Sequence, residues 1–226
     1  MKDVHMELLL DTADLKAIAQ GIDVFPIVGV TTNPSILAKE GGVDFFEHLN
    51  KIKGLIGEGR SLHVQVVGSD ALTMFDEAVR IREVLGKETF IKVPVDHEGL
   101  KAIRMMADEG FHVTATVIYT EFQGLLASMA GAEYLAVYYN RIKTQGEDPD
   151  TVVRNLSSPS VKAKVLTASL KTISQLTAAY AAGSEACTVG YELLCEGLGS
   201  FPIQKAVEDF RSSWKSIHGD NSILDL

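Results

Sequence analysis

The sequence predicts an α/β protein, a (β/α)₈ TIM barrel with a C-terminal helical extension. The observations behind this prediction are a series of short apolar runs, the amphipathic stretches between them, and the polar residues near the ends of the runs. The chain has 226 residues, and an α/β barrel of this length routinely forms one domain. We therefore expect residues 1–226 to form a single domain with a C-terminal helix at about 202–218.

Eight short runs rich in apolar and β-branched residues recur along the chain. Short, nearly continuous apolar runs are typical of parallel strands that are buried on both faces of a sheet. The predicted strands are residues 6–12, 26–33, 62–68, 89–95, 112–118, 134–140, 164–170 and 185–191.

Stretches with helical periodicity lie between these runs. Residues 70–85 place Leu72, Phe75 and Val79 on one side of a predicted helix. Eight strands, each followed by helix-like sequence, favour a closed barrel. A doubly wound open sheet is the competing architecture, but it normally has fewer strands, and the first strand here lacks a GxGxxG turn.

The C-terminal extension has an apolar stripe of its own. Pro202 opens a stretch with apolar residues at helical spacing, and such a stripe needs a partner, which is either another subunit or the barrel itself. The stripe consists of Ile203, Val207, Phe210 and Trp214.

Composition and charge limit the classes of function. The chain is 46% hydrophobic and 23% charged, with a formal net charge of −9 and a pI near 5.1. This balance argues against a nucleic-acid partner, whose binding depends on Lys and Arg, but it does not exclude a small anionic substrate. Cys187 and Cys195 fit neither a CxxC motif nor a zinc ligand set, and we expect two buried, reduced thiols.

Targeting signals are not recognisable in the sequence. The first ten residues include Lys2, Asp3 and Glu7 and lack the apolar core of a signal peptide. No uninterrupted apolar run approaches the length of a membrane span. We expect a soluble, cytoplasmic protein without a membrane partner.

Polar residues lie late in seven of the eight predicted strands. The C-terminal ends of barrel strands hold the chemistry of barrel enzymes, and buried polar groups cost free energy unless they are satisfied, so their convergence predicts a site. The eighth strand offers only Thr188, to which we assign no role. The residues are Asp11, Thr31 with Asn33, Gln65, Lys92, Thr116, Tyr138 with Asn140 and Arg141, and Ser169 with Lys171.

Lys92 is the most informative of these residues because it lies in the apolar run FIKVPV. Burial disfavours the ammonium form, lowers the pKa, and so supplies the neutral amine that attacks a carbonyl. A structural lysine paired with a carboxylate, or a lysine that only binds phosphate, is the alternative. Asp11 could be the partner of Lys92 in either case. The alternative for Asp11 is a cap of the next helix, a role that Asp14 could also fill.

Several motifs together resemble the transaldolase family, most closely its small-subunit branch, which includes fructose-6-phosphate aldolase. The resemblance covers nearly the whole chain, from Glu7 to about Gly219. GVTTNPS and the lysine strand are the most specific motifs. The matching runs are LLLDTAD, GVTTNPS, HVQVV, FIKVPV, QGLLASMAGAEYLAVYYNRI and LTASLKT.

The resemblance implies a role for each residue of the predicted site. Lys92 matches the Schiff-base lysine of the fourth strand, and Asp11 the first-strand carboxylate that contacts substrate hydroxyls and tunes the lysine. Thr31 and Asn33 match polar residues that line the pocket. Arg141 and Ser169 match the phosphate-binding pair.

Two positions distinguish activities within the family. Gln65 stands where true transaldolases have a glutamate that holds a water, and Tyr138 stands where many of them have phenylalanine. Both residues match fructose-6-phosphate aldolase. A phenol can donate and accept a proton, while a glutamine can orient water but cannot act as a general base. We expect Gln65 and Thr116 to hold a water beside Tyr138.

The sequence thus predicts a class I aldolase that cleaves fructose 6-phosphate to dihydroxyacetone and glyceraldehyde 3-phosphate through a Schiff base, with no cofactor. A transaldolase that transfers the dihydroxyacetone unit, a related anionic ketose as substrate, or a non-catalytic sugar-phosphate-binding barrel are the alternatives. Asp96, His97 and Glu98 complete no metal motif, so we expect a loop that opens a helix. His97 and Tyr139 have no assigned role. The resemblance also implies a homo-oligomer, a pentamer or decamer.

Overall fold

The computed structural model describes residues 6–226, and within them eight parallel strands close into a barrel in the order of the chain. The last strand pairs with the first, which confirms the predicted (β/α)₈ barrel. The strands are β1 (Glu7–Asp11), β2 (Ile27–Thr31), β3 (Ser61–Gln65), β4 (Phe90–Pro94), β5 (Val113–Ile118), β6 (Tyr134–Tyr138), β7 (Lys164–Ala168) and β8 (Ala186–Val189).

Helices connect the strands, and most begin at a side chain that accepts hydrogen bonds from the free backbone amides of the first turn. Asp44, Asp70, Asp96, Thr120 and Thr172 all do so. The helices are α1 (Leu15–Val24), α2 (Pro34–Leu37), α3 (Phe45–Ile56), α4 (Ala71–Leu85), α5 (His97–Asp108), α6 (Glu121–Met129), α7 (Tyr139–Thr144), α8 (Pro149–Leu156), α9 (Ile173–Ala181), α10 (Tyr191–Leu198) and α11 (Phe201–His218).

Two strands end earlier than the apolar runs do. β3 ends at Gln65 because the backbone amides of Val67 and Gly68 donate to the Glu77 carboxylate, at 2.7 and 3.0 Å, and not to β4. β6 ends at Tyr138 because α7 begins at the next residue. The apolar character of a run therefore extends past the residues that pair in the sheet.

The buried face of α4 differs from the predicted one. Leu72 is 67% exposed, and Phe75 and Val79 are only half-buried. A different set of residues at helical spacing is buried instead: Ala71, Met74, Ala78, Ile81 and Leu85. The predicted face is rotated relative to the buried one, because apolar residues occur on both sides of this helix and spacing alone does not distinguish them.

Below the site the barrel interior is filled by side chains and not by solvent. Leu9, Ala136, Leu166 and Ala186 pack together in the core, next to Tyr134 and Phe90. The fully buried ring of His63 stacks on Phe90 at 4.5 Å, and burial lowers the pKa of His63 to about 3, helped by the charge of Lys92. Below the site the side chains are therefore packed, and the His63 ring is biased toward its neutral form.

The chain divides into two compact units, one extending to Tyr191 and the other comprising Glu192–Leu226. That residues 1–226 form one domain stays a prediction. The second unit contains the expected C-terminal helix, α11, in which the indole of Trp214 stacks near His218 at 4.3 Å and donates to the carbonyl of Asn221 at 2.7 Å.

The remaining expectations about the chain have mixed outcomes. Both cysteines are free; Cys187 is buried as predicted, whereas Cys195 is only half-buried, contrary to prediction. Within residues 6–226, no helix has the length and apolarity needed to span a bilayer. Lys2 and Asp3, in the stretch searched for a signal peptide, lie outside the described residues.

Candidate active site

A cavity of about 470 Å³ opens at the C-terminal ends of the strands. Among the predicted site residues, Asp11, Asn33, Gln65, Lys92, Tyr138, Arg141 and Ser169 line it. Thr31 and Thr116 are fully buried behind that lining, and each bonds to a residue that does line it. The nine residues to which the sequence assigns a role therefore surround one cavity, and Lys171 lines it as well.

Lys92 lies at the bottom of this cavity, in the middle of β4. Its side chain is buried, at 4% exposure, between the buried residues Ile91 and Val93. Burial lowers the pKa of Lys92, and the negative charge of Asp11 opposes this shift. The residue therefore combines access to the cavity with a bias toward the neutral amine, which is the nucleophilic form.

The Lys92 amine is held by a backbone carbonyl. Its Nζ atom donates to the carbonyl oxygen of Thr32 at 2.8 Å. Thr32 is itself fixed, because both its amide and its hydroxyl donate to the carbonyl oxygen of His63, each at 3.0 Å. A carbonyl acceptor is neutral, so it orients the amine without adding a negative charge beside it.

Asp11 ends β1, where it pairs in register with Thr31 of β2. The Thr31 hydroxyl donates to Asp11 Oδ1 at 2.7 Å. The neighbouring Asp14, not Asp11, caps α1, since Asp14 accepts from the amides of Lys16 and Ala17. The Asp11 carboxylate is thus directed to the cavity, and the helix-cap alternative for it is wrong.

Tyr138 ends β6 on the wall of the cavity. Its phenol oxygen accepts a hydrogen bond from the hydroxyl of buried Thr116 at 3.3 Å. The Arg141 guanidinium lies 5.0 Å from the centre of the Tyr138 ring and donates to the Tyr119 phenol at 3.3 Å. Tyr138 therefore lies between a hydroxyl donor and a cation, an environment in which a phenol can exchange a proton.

Gln65 and Asn33 also line the cavity. Gln65 pairs in register with Lys92, and its buried Oε1 atom has no hydrogen-bond partner among the described residues. A buried acceptor without a partner is costly and indicates a bound water or ligand group. Asn33 uses its Oδ1 atom to cap α2, accepting from the Ile36 amide at 3.0 Å, so its amide nitrogen is the end left for a ligand.

The backbone is strained at two residues of the lining. Val117 and Ser169 both have positive φ, 65° and 60°, a region that costs a non-glycine residue on the order of 1–2 kcal/mol. Val117 lies in an irregularity of β5, where the register with β6 shifts. Ser169 directly follows β7 and precedes Lys171 on the rim. Strain of this kind persists only where the surrounding structure enforces it, and it clusters at active and ligand-binding sites.

The segment Asp96–Glu98 opens a helix, as predicted, although His97 and Glu98 are its first residues and not part of a loop. Asp96 caps α5 by accepting from the Gly99 amide at 2.7 Å, and His97 is exposed in the first turn. The Tyr139 phenol is buried and donates to Asp150. Burial, together with this hydrogen bond, raises the pKa of Tyr139. Within residues 6–226, no three His, Cys, Asp or Glu side chains are grouped to hold a metal ion.

A sequence profile described as transaldolase/fructose-6-phosphate aldolase matches residues 8–218. The chain belongs to this family. Within the transaldolase/fructose-6-phosphate aldolase family, it is 43% identical over 225 residues to a probable fructose-6-phosphate aldolase of Streptococcus pneumoniae, a match that covers 96% of this chain and 100% of that relative. The resemblance in the sequence motifs is therefore confirmed, and with it the prediction of an aldolase- or transaldolase-type enzyme.

The barrel itself is shared more widely than the family. It is similar to inosine 5′-monophosphate dehydrogenase from Legionella pneumophila, with a TM-score of 0.57 and 16% identity over 82% of this chain. The chain spans 58% of the length of that dehydrogenase. At this identity the similarity concerns the fold alone.

Sequence reasoning missed two members of the site. Thr188 of β8 lines the cavity and bonds to Thr31, although no role was assigned to it. Thr32 holds the Lys92 amine through its backbone, a contact that residue type does not reveal. Alternation along β8 was the available signal for Thr188, because Ala186 faces the barrel interior and the residue two positions later faces the same way.

Proposed function

We propose that the protein is a class I aldolase that cleaves fructose 6-phosphate between C3 and C4, giving dihydroxyacetone and glyceraldehyde 3-phosphate. The observation that supports this most is the buried amine of Lys92 at the bottom of a polar cavity, with a pKa lowered by burial. Membership of the family and the likeness to a probable fructose-6-phosphate aldolase support the substrate.

In the first half of the reaction, the neutral Lys92 amine attacks the C2 ketone. Loss of water from the carbinolamine gives an iminium, an electron sink at C2. The carbonyl of Thr32 directs the amine during the attack, and Asp11 accepts hydrogen bonds from the C3 and C4 hydroxyls.

In the second half, Tyr138 takes the C4 hydroxyl proton, together with a water held by Gln65 and Thr116. The C3–C4 electron pair moves into the iminium, so glyceraldehyde 3-phosphate leaves and an enamine remains on Lys92. Protonation of the enamine at C3 and addition of water then release dihydroxyacetone and restore the amine. The buried acceptor of Gln65 and the hydroxyl bond from Thr116 to Tyr138 support this arrangement.

The phosphate binds on the rim formed by β6, β7 and the residues that follow them. Arg141 supplies a planar cation with several donors, and Ser169 a hydroxyl donor. Lys171, also on the lining, adds a second cation near the same rim. These three residues give an acidic protein a local site for an anion.

Transaldolase activity is the second candidate, because the family comprises both reactions and they share every step up to the enamine. Incubation with fructose 6-phosphate alone separates the two. Release of free dihydroxyacetone without an acceptor supports the aldolase. Consumption of fructose 6-phosphate that requires erythrose 4-phosphate supports transaldolase activity and overturns the assignment as an aldolase.

The nucleophile is tested by trapping. Borohydride reduction in the presence of dihydroxyacetone should attach one three-carbon unit, located at Lys92 by peptide mass spectrometry, and Lys92→Met should abolish it. An adduct on Lys171, or none in the wild-type protein, contradicts the mechanism. A folded protein that binds sugar phosphate without any adduct would identify a non-catalytic barrel.

We further propose a cytoplasmic homo-oligomer, a pentamer or a decamer. The family resemblance supports this assembly, as does the apolar stripe along α11, which includes Ile203, Val207 and Phe210. Analytical ultracentrifugation of the full chain tests the proposal, and a monomer at micromolar concentration would contradict it. Fractionation of the cells that produce the protein tests the compartment.

A further inference from the structure

Thr188 is a polar residue of the cavity that the reaction above leaves unused. It lies on β8, is 2% exposed, and lines the cavity together with Asp11 and Lys92. Its hydroxyl oxygen is 2.7 Å from the hydroxyl oxygen of Thr31, a residue that is fully buried. A contact between two hydroxyls leaves open which one is the donor.

The neighbouring carboxylate decides this question. The ionised carboxylate of Asp11 only accepts hydrogen bonds, so at the 2.7 Å contact between Thr31 and Asp11 Oδ1 the threonine donates. A hydroxyl has a single proton, and that of Thr31 is thereby used. The Thr188 hydroxyl must therefore donate to Thr31, and the chain has one direction, from Thr188 through Thr31 to Asp11.

The direction of this chain of hydrogen bonds affects how firmly the Asp11 carboxylate is held. Each hydroxyl that accepts a hydrogen bond becomes a stronger donor to the next acceptor, so Thr188 strengthens the bond that fixes Oδ1. The second carboxylate oxygen, Oδ2, is then the one left to accept from substrate hydroxyls, and Asp11 lines the cavity. Without Thr188 the Thr31 hydroxyl loses its donor, and the carboxylate is held less firmly.

We propose that Thr188 is a positioning residue of the active site, which fixes the Asp11 carboxylate through Thr31 for contact with the substrate hydroxyls. The proposal rests on the proposed function, since it gives Asp11 the same task. Lys92 is held separately, through the carbonyl of Thr32, so Schiff-base formation does not depend on the Thr188 hydroxyl.

Thr188→Val tests the proposal, because valine has nearly the same shape and lacks the hydroxyl. We expect about a tenfold lower kcat for cleavage of fructose 6-phosphate, the size of effect given by the loss of one hydrogen bond in the transition state. Thr188→Ser, which retains the hydroxyl, should restore kcat to within about twofold. Borohydride trapping of dihydroxyacetone at Lys92 should be unchanged in both variants.

Thr167→Val is the matched control. Thr167 is an equally buried threonine on the neighbouring strand β7, and its hydroxyl bonds to Ser184, not to a site residue. It should lose stability comparably and keep kcat. Equal losses of kcat in Thr188→Val and Thr167→Val would mean that Thr188 is merely structural and would overturn the proposal.

A double-mutant cycle that combines Thr188→Val with Asp11→Ala gives a second measurement of kcat. If Thr188→Val does not fold, Thr188→Ala takes its place. Once the carboxylate is absent, removal of the Thr188 hydroxyl should cost no further activity; an undiminished loss contradicts the chain. If wild-type protein forms no adduct at Lys92, the proposed function fails. If it forms the adduct and Thr188→Val has wild-type kcat, only the positioning role fails.

Discussion

The reactivity of Lys92 depends on a balance between two opposing effects. Burial in the middle of β4 disfavours the ammonium form and lowers the pKa, while the negative charge of Asp11 favours that form and raises it. Burial is the larger effect. Asp11 therefore limits the shift in pKa and, at the same time, is held in place by the Thr31 hydroxyl.

Replacing Asp11 changes this balance in a known direction. In Asp11→Asn the charge that stabilises the ammonium is absent, so the pKa of Lys92 falls further. The rate of adduct formation with dihydroxyacetone, followed by borohydride quenching against pH, should then begin to rise at a lower pH than in the wild type. Asp14→Asn, which alters the cap of α1 only, should leave the profile in place; a shift to higher pH in Asp11→Asn would contradict the assignment.

Arg141 offers a test of substrate orientation. Arg141→Leu should raise KM for the ketose phosphate by about ten- to a hundredfold, because a hydrogen bond to a charged group contributes about 1.5–3 kcal/mol. Adduct formation with unphosphorylated dihydroxyacetone should not change. Arg154→Leu, on the exposed part of α8, is the control. An equal effect on both substrates would place the phosphate elsewhere.

At the scale of single residues, the sequence predicts side chains better than backbone contacts. Lys92 and Asp11 are recognisable because charged residues are rare in apolar strands. The carbonyl of Thr32 is not, since every residue has one and only the fold determines which carbonyl faces the amine. Thr188 was missed because threonine is common in strands and usually has no function there.

The junction of β4 with α5 helps to fix the position of Lys92. A Cβ atom at Gly99 would lie 1.8 Å from the carbonyl oxygen of Pro94, the last residue of β4. The first turn of the helix thus packs directly on the end of the strand that holds the lysine. Only glycine permits this approach.

Gly99→Ala should therefore destabilise the protein by about 1–3 kcal/mol, as overpacking does, and reduce kcat by displacing β4. Gly54→Ala is the control, since Gly54 lies within α3 with no atom in reach of an added Cβ. That change should stabilise by about 0.5–1 kcal/mol. Chemical denaturation of both variants checks the prediction, which is wrong if the two changes have the same sign.

At the scale of elements, the sequence predicts number and type well and boundaries less well. All eight predicted strands are present, because runs buried on both faces are apolar throughout. The run 62–68 continues for three residues beyond β3, since Val66 and Val67 are apolar although only the Val66 amide still bonds to β4, at the carbonyl of Lys92. The run 134–140 likewise extends beyond β6, because residues 139 and 140 belong to α7. There the side chain of Asn140 accepts a hydrogen bond from Gln175, and it is not among the residues that line the cavity.

For the whole molecule, the buried lysine has a cost in stability. The pKa of Lys92 is lower in the folded than in the unfolded chain, where it has its ordinary value of 10.5. Between these two values the unfolded chain binds the extra proton, so the free energy of unfolding rises with pH. Each unit of separation corresponds to about 1.4 kcal/mol.

Lys92→Met removes this proton. At neutral pH the variant should have a larger free energy of unfolding than the wild type, and the difference should shrink as the pH approaches 10.5. Urea denaturation at several pH values measures it, with Lys143→Met, an exposed lysine, as the control. A variant that is less stable than the wild type at neutral pH would show that the lysine contributes more by its contacts than it costs by its burial.

The contact between Thr31 and Thr188 joins residues separated by 157 positions in the chain. During synthesis the ribosome has made β1 to β7 before β8 emerges, so for most of that time the barrel has an open edge on each side and Asp11 lacks its donor chain. The pairing of β8 with β1 that closes the barrel therefore also brings Thr188 to Thr31 and, through it, to Asp11. Nascent chains released before β8 should therefore be inactive and prone to aggregate, so premature termination yields no partly working aldolase.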